Sequence, residues 1–274
     1  MNPTSPQRRT ALVTGASSGL GACFARHLAG QDYDQVLVAR RGAALEDVAA
    51  EIRRLQGVEV VTITADLSDP AAPQAIRDEL RRRAIRVDYL VNNAGSSGPD
   101  LLNERDWSVH RRFYELMMTS VAQMCHLFIP DMCTNGFGRV INVSSMSGRI
   151  ARSGGCNYGP AKAYVVAVSE ELALTLAGTG VNVCALCPGY THTEFHAVAN
   201  MLDMKRNSPS FIWYDAETVV REGLAAVERG KSVYASGRLY RWLDPLLQSV
   251  WTRRFIKLGA SIPQRQARPT SGRR

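Results

Sequence analysis

A glycine-rich stretch that joins an apolar strand pattern to an apolar helix pattern constrains the fold of this chain most. Residues 10–13 are typical of a strand, and TGASSGLG follows at residues 14–21 with the spacing GxxxGxG. An apolar helical pattern begins directly after it. Glycines permit a tight turn, and the free N–H groups and dipole at a helix N-terminus bind pyrophosphate. The sequence therefore predicts a dinucleotide site at Gly15, Ser17, Ser18, Gly19, Leu20 and Gly21.

The order of the other patterns predicts the fold class. Strand-like and helical runs alternate along the chain, which is typical of a parallel sheet with helices on both faces. The predicted strands are residues 10–13, 35–39, 58–65, 87–91, 139–143, 181–186 and 232–234, and the main later helices are 43–56, 71–83, 104–133, 157–177 and 215–229. With 274 residues, 45% of them hydrophobic, the chain can bury one large core. We expect an α/β, Rossmann-type, doubly wound parallel sheet of about seven strands in a single domain.

Two arginines after the second predicted strand indicate which dinucleotide is preferred. Arg40 lies nineteen residues after Gly21, where a site for NAD usually offers a carboxylate to the ribose hydroxyls. Arg40 and Arg41 instead offer two guanidiniums, which can bind a 2′-phosphate with full charge. We therefore expect NADP(H) to be favoured over NAD(H). The alternative is that one of the two arginines is only a surface charge.

Small polar residues follow three other predicted strands, at the edge where open parallel sheets bind ligands. Asp66 follows the third strand, and its carboxylate could accept a hydrogen bond from an adenine amino group or act only as a helix cap. The sequence NNAG follows the fourth strand at residues 92–95. A Pro-Gly turn at Pro188 and Gly189 carries the chain across the same edge after the sixth.

Ser145, Tyr158 and Lys162 form the candidate catalytic group. Residues 139–143 lead into a Ser/Gly-rich turn that places Ser145 at the carboxyl edge of the sheet. Tyr158 and Lys162 are four residues apart at the start of a helical pattern, so they share one face. An ammonium about 4 Å away contributes about 4 kcal/mol at an effective dielectric near 20, which matches the cost of ionising a phenol near neutral pH.

Lys162 would thereby make Tyr158 a general acid or base, and Ser145 would hold the substrate oxygen. The alternative is that the Tyr-x-x-x-Lys spacing reflects helix composition alone.

The cysteine and histidine patterns predict reduced thiols and no metal. Cys184 and Cys187 form a CxxC pair, but no second Cys/His pair stands at ligand spacing. His192 and His196 are four residues apart and have no third ligand at a suitable distance along the chain. The N-terminal residues lack the apolar core of a signal peptide, and no apolar run is long enough to span a membrane. A cytoplasmic location is expected, with peripheral membrane contact as a possibility raised by the C-terminal region.

The C-terminal region carries the excess of positive charge. Eleven of the 33 basic residues but one of the 25 acidic residues lie from Arg229 onward, within a formal net charge of +8. This pattern indicates either a solvated tail or contact with an anionic surface. We expect residues 1–236 to form the catalytic domain and residues 237–274 to form a basic extension. No groove-binding motif supports nucleic acid as a partner.

The extension is predicted to contain an amphipathic helix at Pro245–Leu258, with Asp244 as its N-cap, followed by a disordered tail. The apolar stripe of this region could pack on the protein or lie on a membrane surface. Before it, residues 194–214 are rich in large apolar side chains. We expect residues 190–214 to form a lid over an apolar substrate; the alternative is that these side chains make ordinary core or subunit contacts.

Together, TGASSGLG, NNAG, Ser145, YGPAK at residues 158–162 and PGYTHT at residues 188–193 resemble the motifs of the short-chain dehydrogenase/reductase family. The resemblance spans about residues 8–235 and includes the thirteen-residue interval between Ser145 and Tyr158. It implies a Rossmann-type fold and reversible hydride transfer between a nicotinamide and a carbonyl or alcohol carbon. Tyr158 would donate or accept the proton, and Lys162 would lower its pKa and bind the nicotinamide ribose.

The same resemblance implies further cofactor contacts and an oligomer. Asn93 and Gly95 would line the adenosine side, and Thr191 and Thr193 would lie against the carboxamide. The predicted cofactor contacts beyond the glycine turn are Arg40, Arg41, Asp66, Leu67, Asn93, Ala94, Gly95, Tyr158, Lys162, Pro188, Gly189, Thr191 and Thr193. Helices 104–133 and 157–177 pair subunits in this family, so a homodimer or homotetramer is expected.

One position departs from the family pattern. Members usually carry an asparagine in the long helix before Ser145, and alignment on Pro130 places Met117 there. In the family that asparagine holds a water that links the lysine to solvent. Its loss could slow the proton relay, or Thr119, Ser120 or a water could replace it, and the alignment could also be wrong by one turn.

Two functions follow from these patterns. The first is an NADPH-dependent oxidoreductase that acts on the carbonyl or secondary alcohol of an apolar small molecule of steroid-like, fatty or aromatic character. The second is a catalytically weak nucleotide-binding protein of the same fold with a regulatory or scaffold role, which Met117 alone supports.

Overall fold

A parallel sheet lies at the centre of the structure, a computed structural model that describes residues 8–150, 156–192, 212–249 and 251–252. Its strands are β1 Thr10–Thr14, β2 Asp34–Ala39, β3 Val60–Thr64, β4 Tyr89–Asn92, β5 Gly138–Val143, β6 Val181–Cys187 and β9 Val233–Ala235. A separate parallel pair consists of β7 Tyr190–His192 and β8 Trp213–Asp215. Within the described residues the main sheet has the order β3-β2-β1-β4-β5-β6-β9. The prediction of a doubly wound parallel sheet of seven strands is confirmed.

Apolar residues cover both faces of this sheet, as a parallel sheet between two helical layers requires. The helices are α1 Gly19–Ala29, α2 Gly42–Gln56, α3 Ala72–Arg82, α4 Trp107–Tyr114, α5 Ser120–Thr134, α6 Tyr158–Thr175, α7 Ala216–Glu228 and α8 Arg238–Gln248. One core lies between the sheet and α1, α2 and α7. The other lies between the sheet and α3, α4, α5 and α6. Both cores pack on the same sheet, so the described residues form the single domain that the alternating pattern predicts.

The position of β1 decides where a ligand can bind. β1 pairs with β2 on one side and with β4 on the other, and both pairings are parallel. The chain therefore leaves β1 in one direction and returns to its other side after β3. At such a reversal of strand order, the connections diverge beyond the carboxyl ends of the strands and leave a crevice. The glycine turn after β1 and the NNAG stretch after β4 meet in that crevice.

The long helical region predicted at residues 104–133 is confirmed, but it is not one regular helix. Asp106 caps α4 by accepting a hydrogen bond from the backbone N–H of Ser108 at 2.9 Å. Residues Glu115–Thr119 then form a π-helical turn before α5 begins at Ser120. Such turns are frequent at functional sites, and this one contains Met117.

The prediction of a continuous C-terminal helix from Pro245 to Leu258 is wrong at its start and at Ser249, where an extended backbone ends α8. α8 begins at Arg238, and Pro245 lies inside it rather than in its first turn. Asp244 does not cap a helix, because its carboxylate binds the guanidinium of Arg149. The periodic apolar side chains before Pro245 therefore belong to the helix.

Several predictions lie outside the described residues. They include the helix continuation at 253–258, the disordered tail, Thr193, and the lid between residues 193 and 211. The boundary between residues 236 and 237 stays a prediction. None of the helices in the described part of the chain is both long enough and apolar enough to cross a membrane.

Candidate active site

The glycine turn after β1 has a backbone that other residues would strain. Gly15 and Gly19 have φ values of +66° and +56°, in the left-handed region. A Cβ atom on Gly21 would lie 2.2 Å from the carbonyl oxygen of Gly15, so this glycine lets α1 approach the turn. Ser18, the N-cap residue of α1, makes no side-chain capping bond. The first N–H groups of α1 are therefore not capped by Ser18, and phosphate binding at this helix N-terminus stays a prediction.

Arg41 lies beside this turn. Its Nη2 atom donates to Ser18 Oγ at 2.7 Å and to Ser17 Oγ at 3.3 Å. A guanidinium close to the start of α1 adds positive charge where the helix dipole is already positive. Arg40 is exposed next to it, and its charge contributes to lowering the pKa of Asp66. Arg41 thus contacts the glycine turn and Arg40 is its exposed neighbour, and anion binding by this pair stays a prediction.

Asn93 has a structural role that the sequence did not predict, and its contact with the adenosine side of a cofactor stays a prediction. Its Nδ2 atom donates to the carbonyl oxygens of Thr14 and Gly15, at 2.9 and 3.3 Å. The backbone N–H groups of Asn93 and Ala94 donate to Thr14 Oγ1, at 2.9 and 3.1 Å. The Asn93 side chain therefore holds the glycine turn against the end of β4. The neighbouring Gly95 lies directly against Met117, because a Cβ atom there would be 3.3 Å from the Met117 sulfur.

Asp66 and Leu67 lie at the carboxyl end of β3. Asp66 Oδ1 accepts from the backbone N–H of Ser68 at 3.0 Å and from its hydroxyl at 2.8 Å. Burial alone would raise the pKa of Asp66, but these hydrogen bonds and nearby arginines hold that pKa below its usual value. Asp66 does not cap α3, whose N-cap is Ala71. Leu67 is buried, 5% exposed, and packs in the core beside the crevice.

The structure brings Ser145, Tyr158 and Lys162 together at the end of β5. Ser145 caps a short 3₁₀ turn, Met146–Gly148, and its Oγ atom accepts from the N–H of Ser147 at 3.1 Å. The hydroxyls of Ser145 and Tyr158 are hydrogen-bonded to each other. Tyr158 begins α6, and Lys162 follows one turn later. The predicted sharing of one helix face is confirmed.

Lys162 is buried in the floor of this group. Its Nζ atom donates to the Val143 carbonyl oxygen at 2.7 Å and lies 5.8 Å from the centroid of the Tyr158 ring. Burial lowers the pKa of Lys162 to about 8, although the nearby Cys187 thiol opposes this shift. The lysine backbone is held as well, because Ser144 Oγ donates to the Lys162 carbonyl oxygen at 2.8 Å.

The expected lowering of the Tyr158 pKa by Lys162 is not seen in this conformation. Burial raises the pKa of Tyr158 to about 12, and the hydrogen bond with Ser145 opposes the rise. The ammonium of Lys162 is directed to the Val143 carbonyl oxygen instead. For Tyr158 to act as a base near neutral pH, the ammonium must come closer to the phenol oxygen or a further positive charge must lie beside it.

The turn after β6 faces the same group. The Pro188 carbonyl oxygen accepts from the N–H of Met146 at 2.9 Å, which joins this turn to the one that carries Ser145. Thr191 is buried, and its Oγ1 atom donates to the Gly189 carbonyl oxygen at 3.2 Å. Thr193 lies outside the described residues, so its predicted contact stays a prediction.

Met117 is the residue that alignment on Pro130 places at the asparagine position of the family, and this alignment stays a prediction. Met117 is 1% exposed, and its sulfur accepts a hydrogen bond from the backbone N–H of Ser96 at 3.4 Å. Ser120, one of the proposed replacements, donates its hydroxyl to the Leu116 carbonyl oxygen at 2.8 Å. Thr119 is exposed. Met117 therefore fills space below the stretch that follows β4 and offers no amide to a water.

A buried polar cluster next to Tyr158 was not predicted. Asn157 accepts a hydrogen bond from the Tyr114 hydroxyl at 2.7 Å, and its Nδ2 atom lies 3.0 Å from His110 Nδ1 and donates to the Pro99 carbonyl oxygen at 2.9 Å. His110 and Asn157 are both almost fully buried. The cluster ties the start of α6 to α4. Nothing in the sequence spacing joins these residues, and Asn157 directly before Tyr158 is the one available signal.

Cys23, His27 and Glu217 also form a group whose potential ligand atoms lie within 4.8 Å of one another. His27 Nε2 lies 2.5 Å from a Glu217 oxygen, and the Cys23 thiol donates to the other oxygen at 3.6 Å. These contacts join α1 to α7. The absence of a metal stays a prediction.

Comparisons with known proteins agree with this geometry. The sequence matches the short chain dehydrogenase family over residues 9–201. It is 34% identical over 199 residues to cis-4-hydroxycyclohexanecarboxylate dehydrogenase of Sinomonas cyclohexanicum, a match that covers 69% of this chain and 76% of the relative.

Two solved structures share the fold over nearly all of both chains. A short-chain dehydrogenase from Sphingobium yanoikuyae in complex with NADPH is 30% identical, with a TM-score of 0.78 and coverage of 94% of this chain and 98% of the other. The bulky-bulky ketone specific alcohol dehydrogenase from Comamonas testosteroni is 26% identical, with a TM-score of 0.73 and coverage of 94% and 96%.

The fold and the site define a nicotinamide-dependent oxidoreductase that acts on alcohol and carbonyl groups. The chain belongs to the short-chain dehydrogenase/reductase family. The resemblance first seen in the motifs is therefore confirmed.

Replacement of Lys162 by methionine should change how stability depends on pH. The pKa of Lys162 falls from 10.5 in the unfolded chain to about 8 in the folded one. Between these values the unfolded chain binds more protons at this residue, so the lysine makes stability rise with pH. Relative to Lys162→Met, the wild type should gain about 3 kcal/mol in its free energy of unfolding from pH 8 to pH 10.5.

Urea denaturation at several pH values measures this difference. The contributions of all other titrating groups to the free energy of unfolding cancel, because both proteins share them. Lys231→Met, which removes an exposed lysine, is the control. A difference between wild type and Lys162→Met that stays constant across this range would show that Lys162 keeps its ordinary pKa.

Proposed function

We propose that this protein is an NADPH-dependent oxidoreductase for the carbonyl or secondary alcohol of an apolar small molecule, of steroid-like, fatty or aromatic character. The observation that carries this proposal is the meeting of Ser145, Tyr158 and Lys162 at the carboxyl edge of the sheet, beside a glycine turn flanked by Arg41. This arrangement joins a proton donor to a phosphate-binding helix N-terminus.

The residues of the site would divide the work as follows. The glycine turn and the start of α1 would bind the pyrophosphate of the cofactor, which supplies or accepts the hydride when bound. Ser145 would hold the substrate oxygen by a hydrogen bond. Tyr158 would give its proton to that oxygen in reduction or take it in oxidation. Lys162 would bind the ribose and bring its positive charge toward the Tyr158 oxygen, which lowers the cost of the phenolate.

Two features support NADP(H) over NAD(H). Arg40 and Arg41 follow β2, where a carboxylate would otherwise bind the ribose hydroxyls. Arg41 already lies against Ser17 and Ser18 of the glycine turn, so it is within reach of the ribose end of a bound dinucleotide. The relative from Sphingobium yanoikuyae binds NADPH.

The apolar character of the substrate rests on the aromatic residues at the base of the predicted lid. Trp213 lies 5.1 Å from the ring of Tyr190 and 5.2 Å from the ring of His192, measured between centroids. These rings come from β7 and β8, which form the two ends of the predicted lid, and β7 contains Thr191. These packed rings give the ends of the predicted lid an apolar aromatic character, which favours an apolar substrate. The relative from Comamonas testosteroni is specific for bulky ketones.

The second candidate is a nucleotide-binding protein of the same fold with little turnover. Met117 favours it, because a buried thioether stands where the family pattern has an amide and offers no strong hydrogen bond to a relay water. Turnover measurements distinguish the two functions directly.

Two further proposals concern partners and location. A homodimer or homotetramer would bury apolar side chains that the single chain exposes on the predicted pairing helices, such as Val109 on α4 and Leu174 on α6. A cytoplasmic location stays a prediction. Peripheral membrane contact is supported by Trp242 and Trp251, which are 78% and 84% exposed in the basic C-terminal region.

Replacement of Tyr158 by phenylalanine should abolish turnover and leave cofactor binding intact. The substitution removes the ionisable oxygen and keeps the ring, the glycine turn and Lys162, so kcat should fall by about 10²-fold or more. NADPH oxidation with a panel of apolar ketones and aldehydes measures kcat, and fluorescence titration measures the cofactor Kd. Tyr164→Phe, on the same helix, is the matched control. Turnover by Tyr158→Phe close to that of the wild type would defeat the proposal.

Replacement of both Arg40 and Arg41 by alanine should weaken NADPH binding much more than NADH binding. Only NADPH has the 2′-phosphate, and a hydrogen bond to a charged group contributes about 1.5 to 3 kcal/mol, so the preference should fall about tenfold or more. Titrations with both cofactors give the ratio of Kd values. Arg54→Ala, which removes an exposed arginine from α2, controls for general loss of charge. An equal loss for both cofactors would show that the pair does not bind the phosphate.

Contact with a membrane should depend on salt. If the C-terminal region binds anionic lipid, the protein should sediment with phosphatidylserine vesicles at low salt and be released at about 0.5 M salt, where the Debye length is a few ångströms. Trp242→Ala should weaken this association, with Trp107→Ala as the control for loss of an exposed tryptophan. Failure to sediment at low salt would reject membrane contact.

A further inference from the structure

The C-terminal helix α8 holds the turn that carries Ser145 through a shielded ion pair. Arg149 Nε and Nη2 donate to the two carboxylate oxygens of Asp244, at 2.8 and 2.6 Å. The two side chains are 15% and 18% exposed, so the pair is largely removed from solvent. A second contact follows one turn later in α8, where Gln248 Nε2 donates to the Arg149 carbonyl oxygen at 2.8 Å. Arg149 is therefore fixed through both its side chain and its backbone.

Arg149 is connected to Ser145 by one short hydrogen-bonded turn. The N–H of Gly148 donates to the Ser145 carbonyl oxygen at 2.9 Å, and the N–H of Arg149 donates to that of Met146 at 3.0 Å. The Ser145 hydroxyl oxygen is itself held by the N–H of Ser147. A displacement of Arg149 would therefore be passed through one 3₁₀ turn to the oxygen that is hydrogen-bonded to Tyr158.

The same helix also holds the turn after β6. The Tyr240 ring lies so close to Gly189 that a Cβ atom there would be 1.9 Å from the ring. Tyr240 Oη accepts from the N–H of Tyr190 at 3.4 Å and donates to the Ile212 carbonyl oxygen at 3.0 Å. α8 thus contacts the chain directly before Thr191 and the chain directly before β8.

The other end of α8 is anchored to the body of the protein. The N–H of Gly237 donates to Glu222 of α7 at 2.8 Å, and the N–H of Leu239 donates to the Tyr214 hydroxyl at 3.2 Å. Arg241 contacts both Glu222 and Tyr234. Since α8 has fixed contacts at its start, it can act as a support for the two turns and not merely follow them.

We propose that α8 is a positioning element of the active site, in which Asp244 and Tyr240 set the positions of Ser145 and Thr191. The inference rests on the proposed function. Asp244 neutralises and orients the Arg149 guanidinium. Without the Asp244 charge, the partly buried guanidinium would have no counter-ion, and moving toward solvent would lower its energy. The turn of Ser145 then moves with it. Because a shift of reacting groups by about 1 Å can cost about 10²-fold in rate, small movements are sufficient.

A double-mutant cycle tests the ion pair. Asp244→Asn and Arg149→Gln should each lower kcat tenfold or more, and the double variant should lose about as much as either single one, because the two residues act as one unit. Rates are normalised to the concentration of cofactor-binding sites found by NADPH titration. A partly unfolded preparation has fewer sites but normal kcat per site, whereas a displaced Ser145 lowers kcat per site and leaves the NADPH Kd within twofold.

Glu228→Gln is the control for loss of a carboxylate paired with arginine, because Glu228 accepts from Arg139 Nε at 2.8 Å in a more exposed ion pair away from the turn. Tyr240→Phe removes the hydroxyl that binds Tyr190 and keeps the ring against Gly189. Tyr240→Phe should lower kcat per site severalfold. If the Asp244 variants do not fold, this variant alone tests whether α8 positions the active site.

The outcomes separate this inference from the proposed function. If the wild type reduces carbonyl compounds and Asp244→Asn and Tyr240→Phe keep kcat per site within twofold, the positioning role is rejected. A loss in Glu228→Gln equal to that in Asp244→Asn rejects it as well. Absence of turnover in the wild type, with NADPH bound, would instead reject the proposed function.

Discussion

The parallel pairing of β1 with both β2 and β4 is the constraint on which the rest of the structure depends. It puts the reversal of strand order at the centre of the sheet, so the segments after β1 and β4 must diverge beyond the strand ends. Both segments are then held by one side chain, since Asn93 donates to the carbonyl oxygens of Thr14 and Gly15. The crevice for a dinucleotide follows from this arrangement, and the neighbouring strands β5 and β6 carry the remaining turns to the same edge.

The chemistry of the site depends on charges that the fold makes costly. Burial disfavours both the ammonium of Lys162 and the phenolate of Tyr158, and it moves their pKa values toward the neutral forms. A neutral phenol suits a proton donor in reduction. Proton donation by Tyr158 and its reverse pass through the same phenolate, so under the proposed mechanism both directions would need the Lys162 ammonium to leave the Val143 carbonyl oxygen and approach the phenol oxygen.

The features that the sequence could predict depend on residues that are close together along the chain. The glycine turn, the strand ends and the interval between Tyr158 and Lys162 depend on residues a few positions apart, and they are confirmed as elements of the structure. The role of Asn93 and the cluster of Asn157 with His110 depend on contacts between distant segments, which no spacing records. The start of α8 was missed for a related reason. Pro245 suggested a helix start, but the helix is held by tertiary contacts such as that of Asp244 with Arg149.

The π turn at Glu115–Thr119 has a consequence for the helix that precedes it. An α-helix advances about 100° per residue, so one additional residue in a turn rotates everything before it by roughly that angle relative to an uninterrupted helix. α5 packs on the sheet through Met124 and Phe128, while α4 directs His110 and Tyr114 to Asn157. One inserted residue thus lets a single stretch of chain present one face to the core and a differently oriented face to the start of α6.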